Sequence, residues 1–92
     1  MNSTIINIAK NFTIDEVAKF RTKINQMIDN GEKDFTFNFS ECDFIDSTGL
    51  GVLVAIYKKC AEHNGSIVLI GLNNEVAKLF KLTRLDRVFE IK

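Results

Sequence analysis

The segment Ile67-Val68-Leu69-Ile70-Gly71 is a continuous apolar run that ends in glycine. A run of this length without polar alternation is typical of a parallel β-strand that is covered on both faces. It therefore predicts a central strand. The chain has 92 residues, which is enough for one hydrophobic core and no second, so we expect a single domain spanning residues 1–92.

Three other segments have strand character. Thr4–Ile8 is short and prone to form a β-strand. In Phe35–Phe39 aromatic residues alternate with polar ones, so three rings share one face, and that face requires helices packed against it. The segment Val88–Ile91 predicts either a last short strand or a helical tail.

Apolar residues recur at helical spacing from Ile14 to Ile28 and predict the first helix. Thr13 and Glu16 fit a capping box, in which a hydroxyl and a carboxylate satisfy backbone N–H groups at the helix start. Asp29-Asn30-Gly31 ends this helix.

A second helix is predicted over Leu50–Ala61, and Asn64-Gly65 stops it. Asn73 or Asn74 caps a third helix, which extends through Leu82. The element order β-α-β-α-β-α predicts an α/β fold with right-handed crossovers. Its mainly parallel central sheet has about four strands and is packed with helices.

Composition limits the classes of function. Twelve Lys and Arg residues balance twelve Asp and Glu residues, so binding to nucleic acid by neutralising phosphates has no global support. No apolar run reaches membrane-spanning length, and Met1–Thr4 carries no secretion signal, so we expect a cytoplasmic protein without a membrane span. A chain this small favours a binding or regulatory module over an enzyme.

The cysteines and the single histidine do not indicate a metal site or a catalytic site. Cys42 and Cys60 are too far apart for a redox or zinc pair, and we interpret them as free thiols that pack in the core. His63 lies in a polar stretch with the character of a helix end and turn. A metal site or a Ser-His-Asp triad needs more partners than this, so the sequence predicts no metal, no cofactor and no catalytic residue.

The most unusual stretch is Asp46-Ser47-Thr48-Gly49-Leu50-Gly51, where the chain enters the second helix. Glycine after hydroxyls lets backbone N–H groups approach an anion, although the same residue types also serve as plain helix caps. A phosphate-binding P-loop is excluded, since no lysine occurs between Lys33 and Lys58. An aspartic-protease site and a hydrolase nucleophile elbow fail on spacing. An accessible serine remains, which fits a phosphorylation acceptor.

Three stretches resemble the bacterial anti-sigma factor antagonist family, the STAS domain: Phe44–Leu53, Gly65–Leu69 and Lys81–Phe89. The resemblance extends over nearly the whole chain from Ile5 onward. It implies a protein that, when unphosphorylated, binds an anti-sigma factor with serine kinase activity and so frees a sigma factor. It also implies that phosphorylation of Ser47 switches this binding off, and that a metal-dependent Ser/Thr phosphatase reverses the modification.

We interpret the loop and the start of the second helix as the partner-binding switch region. Its residues are Asp43, Asp46, Ser47, Thr48, Gly49, Leu50 and Gly51. Asp46 has two open roles, because it could cap the helix or orient the Ser47 hydroxyl, or its phosphate, in the docked kinase. Thr48 is a second hydroxyl, but the resemblance favours Ser47 as the acceptor.

Two features depart from the family pattern. The chain starts at the family's second strand and lacks the additional first strand. This leaves a sheet edge open to a partner or a second copy, so a homodimer is a hypothesis. The family's Leu-Thr-Gly-Leu is here Leu82-Thr83-Arg84-Leu85, in which Arg84 adds a cation.

Two alternative functions remain open. The first is a non-phosphorylated scaffold or transport-accessory module with the same fold, against which Ser47 argues. The second is a small α/β domain that binds an anion or a nucleotide at the start of the second helix. The absence of Lys and Arg from the Asp46–Gly51 motif argues against this second alternative.

Overall fold

A computed structural model describes residues 3–92, in which six strands and three α-helices are present. They follow in the order β1 (Thr4–Asn7), β2 (Asn11–Phe12), α1 (Ile14–Asp29), β3 (Asp34–Asn38), β4 (Phe44–Ile45), α2 (Ser47–Glu62), β5 (Ser66–Ile70), α3 (Asn74–Leu82) and β6 (Glu90–Ile91). A short 3-10 helix, Leu85–Arg87, precedes β6. The three predicted helices are confirmed, and the last segment is resolved as a short strand.

Four strands form one sheet in the order β1-β3-β5-β6, and every neighbouring pair is parallel. Phe35 of β3 lies opposite Ile67 of β5, and Leu69 of β5 lies opposite Ile91 of β6. The strand β5 is therefore an inner strand, as its apolar run predicts. Parallel neighbours need a crossover connection, and here a helix supplies each one. The predicted α/β fold with a mainly parallel sheet is confirmed.

One face of the sheet carries the hydrophobic core. Phe35, Phe37 and Phe39 are completely buried on this face, as the alternation in the sequence predicts. Phe20 of α1 packs edge-on against Phe37, with ring centroids 5.2 Å apart, in the T-shaped geometry that aromatic pairs favour. All three helices bury side chains in the same core, among them Val17, Ile24 and Ile28 of α1, Val52, Leu53 and Ile56 of α2, and Val76 and Phe80 of α3.

The opposite face is open among residues 3–92, so the expectation that β5 is covered on both faces was wrong. Val68 and Ile70 are only half-buried, and Ile5 of β1 is 64% exposed. Polar side chains on this face bond across the strands: Ser3 with Thr36 at 2.8 Å, Asn7 with Asn38 at 3.2 Å and Asp34 with Ser66 at 2.9 Å. Because these groups satisfy one another and face water, the surface needs no helix to cover it.

The predicted cap of α1 is absent from the structure, whereas a predicted cap of α3 is present. Thr13 does precede α1, but its hydroxyl makes no capping hydrogen bond, so the expected capping box is absent. The Thr13 backbone N–H, which Glu16 would satisfy in that box, instead donates to the carbonyl oxygen of Asn11 at 3.0 Å. At α3 the cap is Asn73, whose Oδ1 accepts from the Val76 backbone N–H at 2.8 Å.

A second, two-stranded sheet was not expected from the sequence. The strands β2 and β4 pair in parallel, with Asn11 opposite Phe44 and Phe12 opposite Ile45. The Lys10 carbonyl oxygen accepts from the backbone N–H of Asp43 at 2.8 Å. This small sheet fixes the segment that leads directly into α2.

Candidate functional site

Helix α2 begins directly after β4, and Asp46 forms its N-cap. The Asp46 backbone is extended, and its Oδ1 accepts from the Gly49 backbone N–H at 3.1 Å. The Asp46 carbonyl oxygen accepts from the Leu50 N–H at 3.0 Å, which is the first helical bond. Of the two roles that the sequence leaves open for Asp46, the structure therefore shows the capping role in the free protein.

Gly49 and Gly51 have different roles. A Cβ atom at Gly49 would lie 2.8 Å from the Phe12 carbonyl oxygen and 2.8 Å from Ile45 Cγ1. Gly49 therefore allows the start of α2 to pack directly on the small sheet, and the space beside it is filled by protein. A Cβ atom at Gly51 would have no atom within 4 Å, so packing in residues 3–92 does not require glycine there.

The two hydroxyls of the motif are accessible. Ser47 is the first residue of α2, and both Ser47 and Thr48 are exposed. Within residues 3–92 neither side chain makes a hydrogen bond to another group. A free hydroxyl at a helix start can be reached by another protein, and the partial positive charge of the helix N-terminus favours an added anion there.

The predicted switch region divides into exposed and buried parts. Asp43 is exposed, and its carboxylate lies 3.9 Å from the Lys10 ammonium. Asp46 is half-buried, while Gly49 and Leu50 are buried. The surface that a partner can touch therefore consists of Asp43, Ser47, Thr48 and Gly51, and the buried members shape it from beneath.

Two grooves border this surface. The first, which we call the α3 groove, has a volume of about 430 Å³ and lies between β4 and α3. Its lining residues are Asp43, Phe44, Ile45, Glu75, Val76, Lys78, Leu79 and Leu82. The second, the α1 groove, has a volume of about 350 Å³ and is lined by Ile14, Val17, Ala18, Arg21, Thr22 and Thr48.

Exposed apolar side chains lie in both grooves. Phe44 is 54% and Leu82 is 72% exposed in the α3 groove, and Ile14 is 69% exposed in the α1 groove. Because such side chains favour removal from water, the two grooves give the Ser47 loop an apolar border on either side. Sequence reasoning identified the loop but neither groove.

Asn73 is a further positioning residue that the sequence did not assign to this site. Besides capping α3, it donates from Nδ2 to the Cys42 carbonyl oxygen at 3.1 Å. It thereby ties the loop before β4 to the start of α3. The sequence shows Asn73 as a candidate cap, but only the fold brings it against residue 42.

The thiols are buried and unpaired, which confirms their predicted packing role. Cys42 and Cys60 form no disulfide. Burial raises the pKa of Cys42 and, more strongly, raises the pKa of Cys60 to about 11. A neutral buried thiol is a poor nucleophile. His63 follows α2 as its C-cap, in agreement with the expected helix end.

The sequence matches the model of one protein family, the STAS domain, over residues 2–92. The chain belongs to the STAS domain family. This confirms the resemblance carried by the Asp-Ser-Thr-Gly-Leu-Gly motif and the two later stretches.

Two curated relatives of this STAS domain are named anti-sigma-B factor antagonists. The Listeria monocytogenes protein is 38% identical over 55 residues, which are 60% of this chain and 48% of the relative. The Bacillus subtilis protein is 29% identical over 90 residues, which are 98% of this chain and 82% of the relative. In the first of these matches, the aligned part of this chain therefore spans about half the length of the relative.

Solved structures share the fold. A putative anti-sigma factor antagonist from Thermotoga maritima has a TM-score of 0.81 at 27% identity, covering 99% of this chain and 74% of that one. The Bacillus cell fate determinant SpoIIAA, in its phosphorylated form, has a TM-score of 0.77 at 21% identity, covering 96% and 80%. At this identity the second comparison supports the fold alone.

Residues 3–92 contain neither a membrane-spanning helix nor a cluster of metal ligands. None of the helices in that range has both the length and the apolar character needed to cross a bilayer. In the same range no three metal-ligating side chains come together.

Proposed function

We propose that this STAS domain is an anti-sigma factor antagonist controlled by phosphorylation of Ser47. The unphosphorylated form binds an anti-sigma factor with serine kinase activity, and the sigma factor is released. The observation that carries the proposal is the exposed Ser47 hydroxyl, which makes no hydrogen bond within residues 3–92 and whose neighbours Ile45 and Thr48 line the two grooves. The names of the Listeria and Bacillus relatives support the same class of partner. This function requires the cytoplasm, where ATP and sigma factors are both present.

In this proposal the domain is a binding protein, and the chemistry belongs to its partner. The kinase breaks the bond between the β-phosphate oxygen and the γ-phosphorus of ATP, and the Ser47 oxygen bonds to that phosphorus. The serine proton passes to a base of the kinase, and ADP leaves. A Ser/Thr phosphatase restores the hydroxyl by hydrolysis. The second role predicted for Asp46, orienting the hydroxyl in the docked kinase, belongs to this step.

The added phosphate acts on binding and leaves the fold intact. It brings a charge of about −2. Its position at the start of α2 is favourable by about 0.3–1 kcal/mol. Against a partner's acidic group about 6 Å away, the repulsion is about 1.4 kcal/mol in water and about 5.5 kcal/mol at an effective dielectric constant of 20. That range corresponds to a loss of about tenfold to ten-thousandfold in affinity.

Substitution of Ser47 tests the proposal. Ser47→Ala is expected to bind the anti-sigma kinase as the wild type does and to accept no phosphate. Ser47→Asp should bind about threefold to a hundredfold more weakly, because it places half the charge of the phosphate in the contact. Thr48→Ala is the matched control and should keep both phosphorylation and binding. The measurements are calorimetric affinity for a kinase co-purified from lysate, and peptide mapping after incubation with ATP.

Equal binding of Ser47→Ala and Ser47→Asp to the kinase would rule out the electrostatic switch. Phosphate on Thr48 instead of Ser47 would reassign the acceptor. Kinase binding without any phosphorylation would favour the scaffold alternative. Nucleotide binding by the isolated domain would favour the anion-binding alternative, which the lack of a cation in the motif does not support.

Self-association through β1 is a separate part of the proposal. The strand β1 pairs only with β3 among residues 3–92, so its outer edge is open. A second copy could add its own β1 there, because an unpaired strand edge offers free backbone donors and acceptors. Sedimentation equilibrium at micromolar concentration tests this self-association, because a monomeric mass would exclude the dimer.

A further inference from the structure

The outer face of α3 and the segment after it carry a strip of cations. Lys78, Lys81, Arg84 and Arg87 recur every three residues, and all four are exposed. Within residues 3–92 none of them forms an ion pair, although Lys10, Lys19, Lys59 and Lys92 do. We call these four residues the α3 cation strip. Residues 74–87 hold these four cations and two acids, Glu75 and Asp86, so this segment has a net charge of +2 in a chain whose formal net charge is zero.

The strip adjoins the apolar part of the α3 groove. Lys78 lines the groove together with Phe44, Leu79 and Leu82. Leu82 lies one turn after Lys78, and it has the largest exposure among the apolar side chains of the groove, at 72%. A cationic strip beside an apolar groove matches a segment that presents acidic and apolar side chains on one face.

The backbone at Arg84 adopts the conformation that ends α3 and turns the chain towards the 3-10 helix. Its φ is 62°, in the left-handed region, where a residue with a Cβ atom is strained and glycine is not. An arginine is nevertheless present, with its side chain exposed and without an ion pair in residues 3–92. A left-handed residue directly after the C-cap is a common way for a helix to end, and Asn64 has a φ of 60° at the corresponding position after α2.

We propose that the α3 cation strip and the α3 groove together dock an acidic amphipathic segment of a partner protein. An apolar side chain of the segment enters the groove between Phe44 and Leu82, and its carboxylates lie against Lys78, Lys81 and Arg84. This inference deepens the proposed function, on which it rests only for the identity of the partner. The groove ends at Ile45, two residues before Ser47, so the docked acidic segment would lie near an added phosphate.

A protein segment fits this surface better than an anionic membrane. Asp43 and Glu75 also line the groove, and their carboxylates would repel lipid phosphates and the carboxylates of a partner alike. A partner segment can instead meet these two acids at its edge with a cation or with a neutral side chain. The concave shape of the groove also suits a single inserted side chain.

The experiment is an NMR titration of the ¹⁵N-labelled domain with a synthetic helical peptide of about 18 residues, in which leucines at i, i+3, i+4 and i+7 are flanked by glutamates. We expect shifts confined to residues 43–45 and 75–87. Affinity should decrease as salt is raised, because exposed charges are screened. The same peptide with lysine in place of glutamate should not bind.

Two variants and a matched control locate the site. Lys78→Glu with Lys81→Glu, and separately Leu82→Ser, should each weaken peptide binding at least about tenfold. Leu82→Ser changes an exposed side chain, so the fold is preserved. Lys23→Glu with Lys33→Glu changes the net charge equally at exposed positions outside the strip, and it should bind the peptide as the wild type does.

Absence of shifts up to about 1 mM peptide, or equal binding of the lysine peptide, would overturn the proposal. Binding to phosphatidylglycerol vesicles without binding to the peptide would overturn it in favour of a lipid surface. The proposed function is tested separately by the Ser47 variants. If those variants switch kinase binding and the peptide fails to bind, only the docking inference is lost.

Discussion

In the Asp46–Gly51 motif, the two glycines differ in whether the structure leaves room for a Cβ atom. Gly49 lacks the Cβ atom that would meet Phe12 and Ile45 at 2.8 Å. Gly51, two residues later, faces open space. The motif therefore combines a glycine required by packing with one that packing does not require.

Alanine at these two positions should have opposite effects on stability. Gly49→Ala is expected to lower the free energy of unfolding by about 1–3 kcal/mol, because the backbone of β2 must move to admit the methyl group. Gly51→Ala should raise it by about 0.5–1 kcal/mol through better helix propensity. Urea unfolding of both variants gives the comparison. A Gly49→Ala protein as stable as the wild type would show that the helix start can shift freely.

For single residues, the sequence predicted local features, such as an exposed serine or a helix cap, better than it predicted tertiary contacts. Ser47 at an exposed helix start and Asp46 as a possible cap follow from residue type and position. The close approach of Gly49 to Phe12 does not, because the two residues are far apart in the chain and meet only through the small sheet. The bond from Asn73 to the Cys42 carbonyl depends on tertiary structure in the same way.

The starts of the helices show that a capping sequence can be present without the capping hydrogen bond. Asp46 makes a side-chain cap at α2, whereas Thr13 makes none at α1. At α1 the Asn11 carbonyl of β2 takes the Thr13 N–H, the group that Glu16 would satisfy in a capping box.

Cap removal should therefore matter at one helix and not at the other. Asp46→Ala is expected to lower the free energy of unfolding by about 1 kcal/mol, and Asp46→Asn by less, because asparagine also caps. Thr13→Ala should change stability by less than about 0.5 kcal/mol. Thermal and urea unfolding measure all three. A large loss in Thr13→Ala would mean that its hydroxyl does cap α1 in solution.

Asp46→Asn also separates the two roles of this residue. Unchanged stability together with a large fall in Ser47 phosphorylation would assign Asp46 a part in the kinase complex. Equal phosphorylation of the wild type and Asp46→Asn would show that Asp46 acts only as a helix cap.

The open face of the sheet shows that an apolar run does not by itself indicate a strand buried on both faces. Val68 and Ile70 belong to a continuous apolar segment, which suggested cover on both faces. Their neighbours in β3 are Thr36 and Asn38, and the polar alternation of β3 was visible in the sequence. The register that places these polar residues beside β5 was not visible, so the information needed for the correct prediction lay in a different strand.

Across the whole molecule, the buried thiols give stability a dependence on alkaline pH. The folded-state pKa of Cys60 is raised to about 11 from an ordinary value of 9.0, because burial disfavours the thiolate. Below about pH 8 the thiol is protonated in both states, and its contribution is constant. As pH rises from about 9 to about 11, the unfolded chain loses this proton first, so the free energy of unfolding falls.

This loss should reach about 2–3 kcal/mol at high pH. Urea unfolding of the wild type and of Cys60→Ala between pH 8 and about pH 11 isolates it, because the two proteins differ only at this side chain. The wild type should lose more stability than the variant over this interval. Parallel curves for the two proteins would mean that Cys60 ionises as readily in the folded state as in the unfolded one.

The parallel sheet also has a consequence for the time course of folding. Every strand pair is separated by at least one helix: β1 meets β3 across α1, β3 meets β5 across α2, and β5 meets β6 across α3. Within residues 3–92 no hairpin is available as a fast local nucleus, so each pairing must wait for a long loop to close. The helices can form within microseconds, whereas the sheet requires all three crossover connections to close. For a domain of its size this protein should fold slowly, and it should pass its rate-limiting barrier when Phe35 and Phe37 first meet their neighbours across those crossovers.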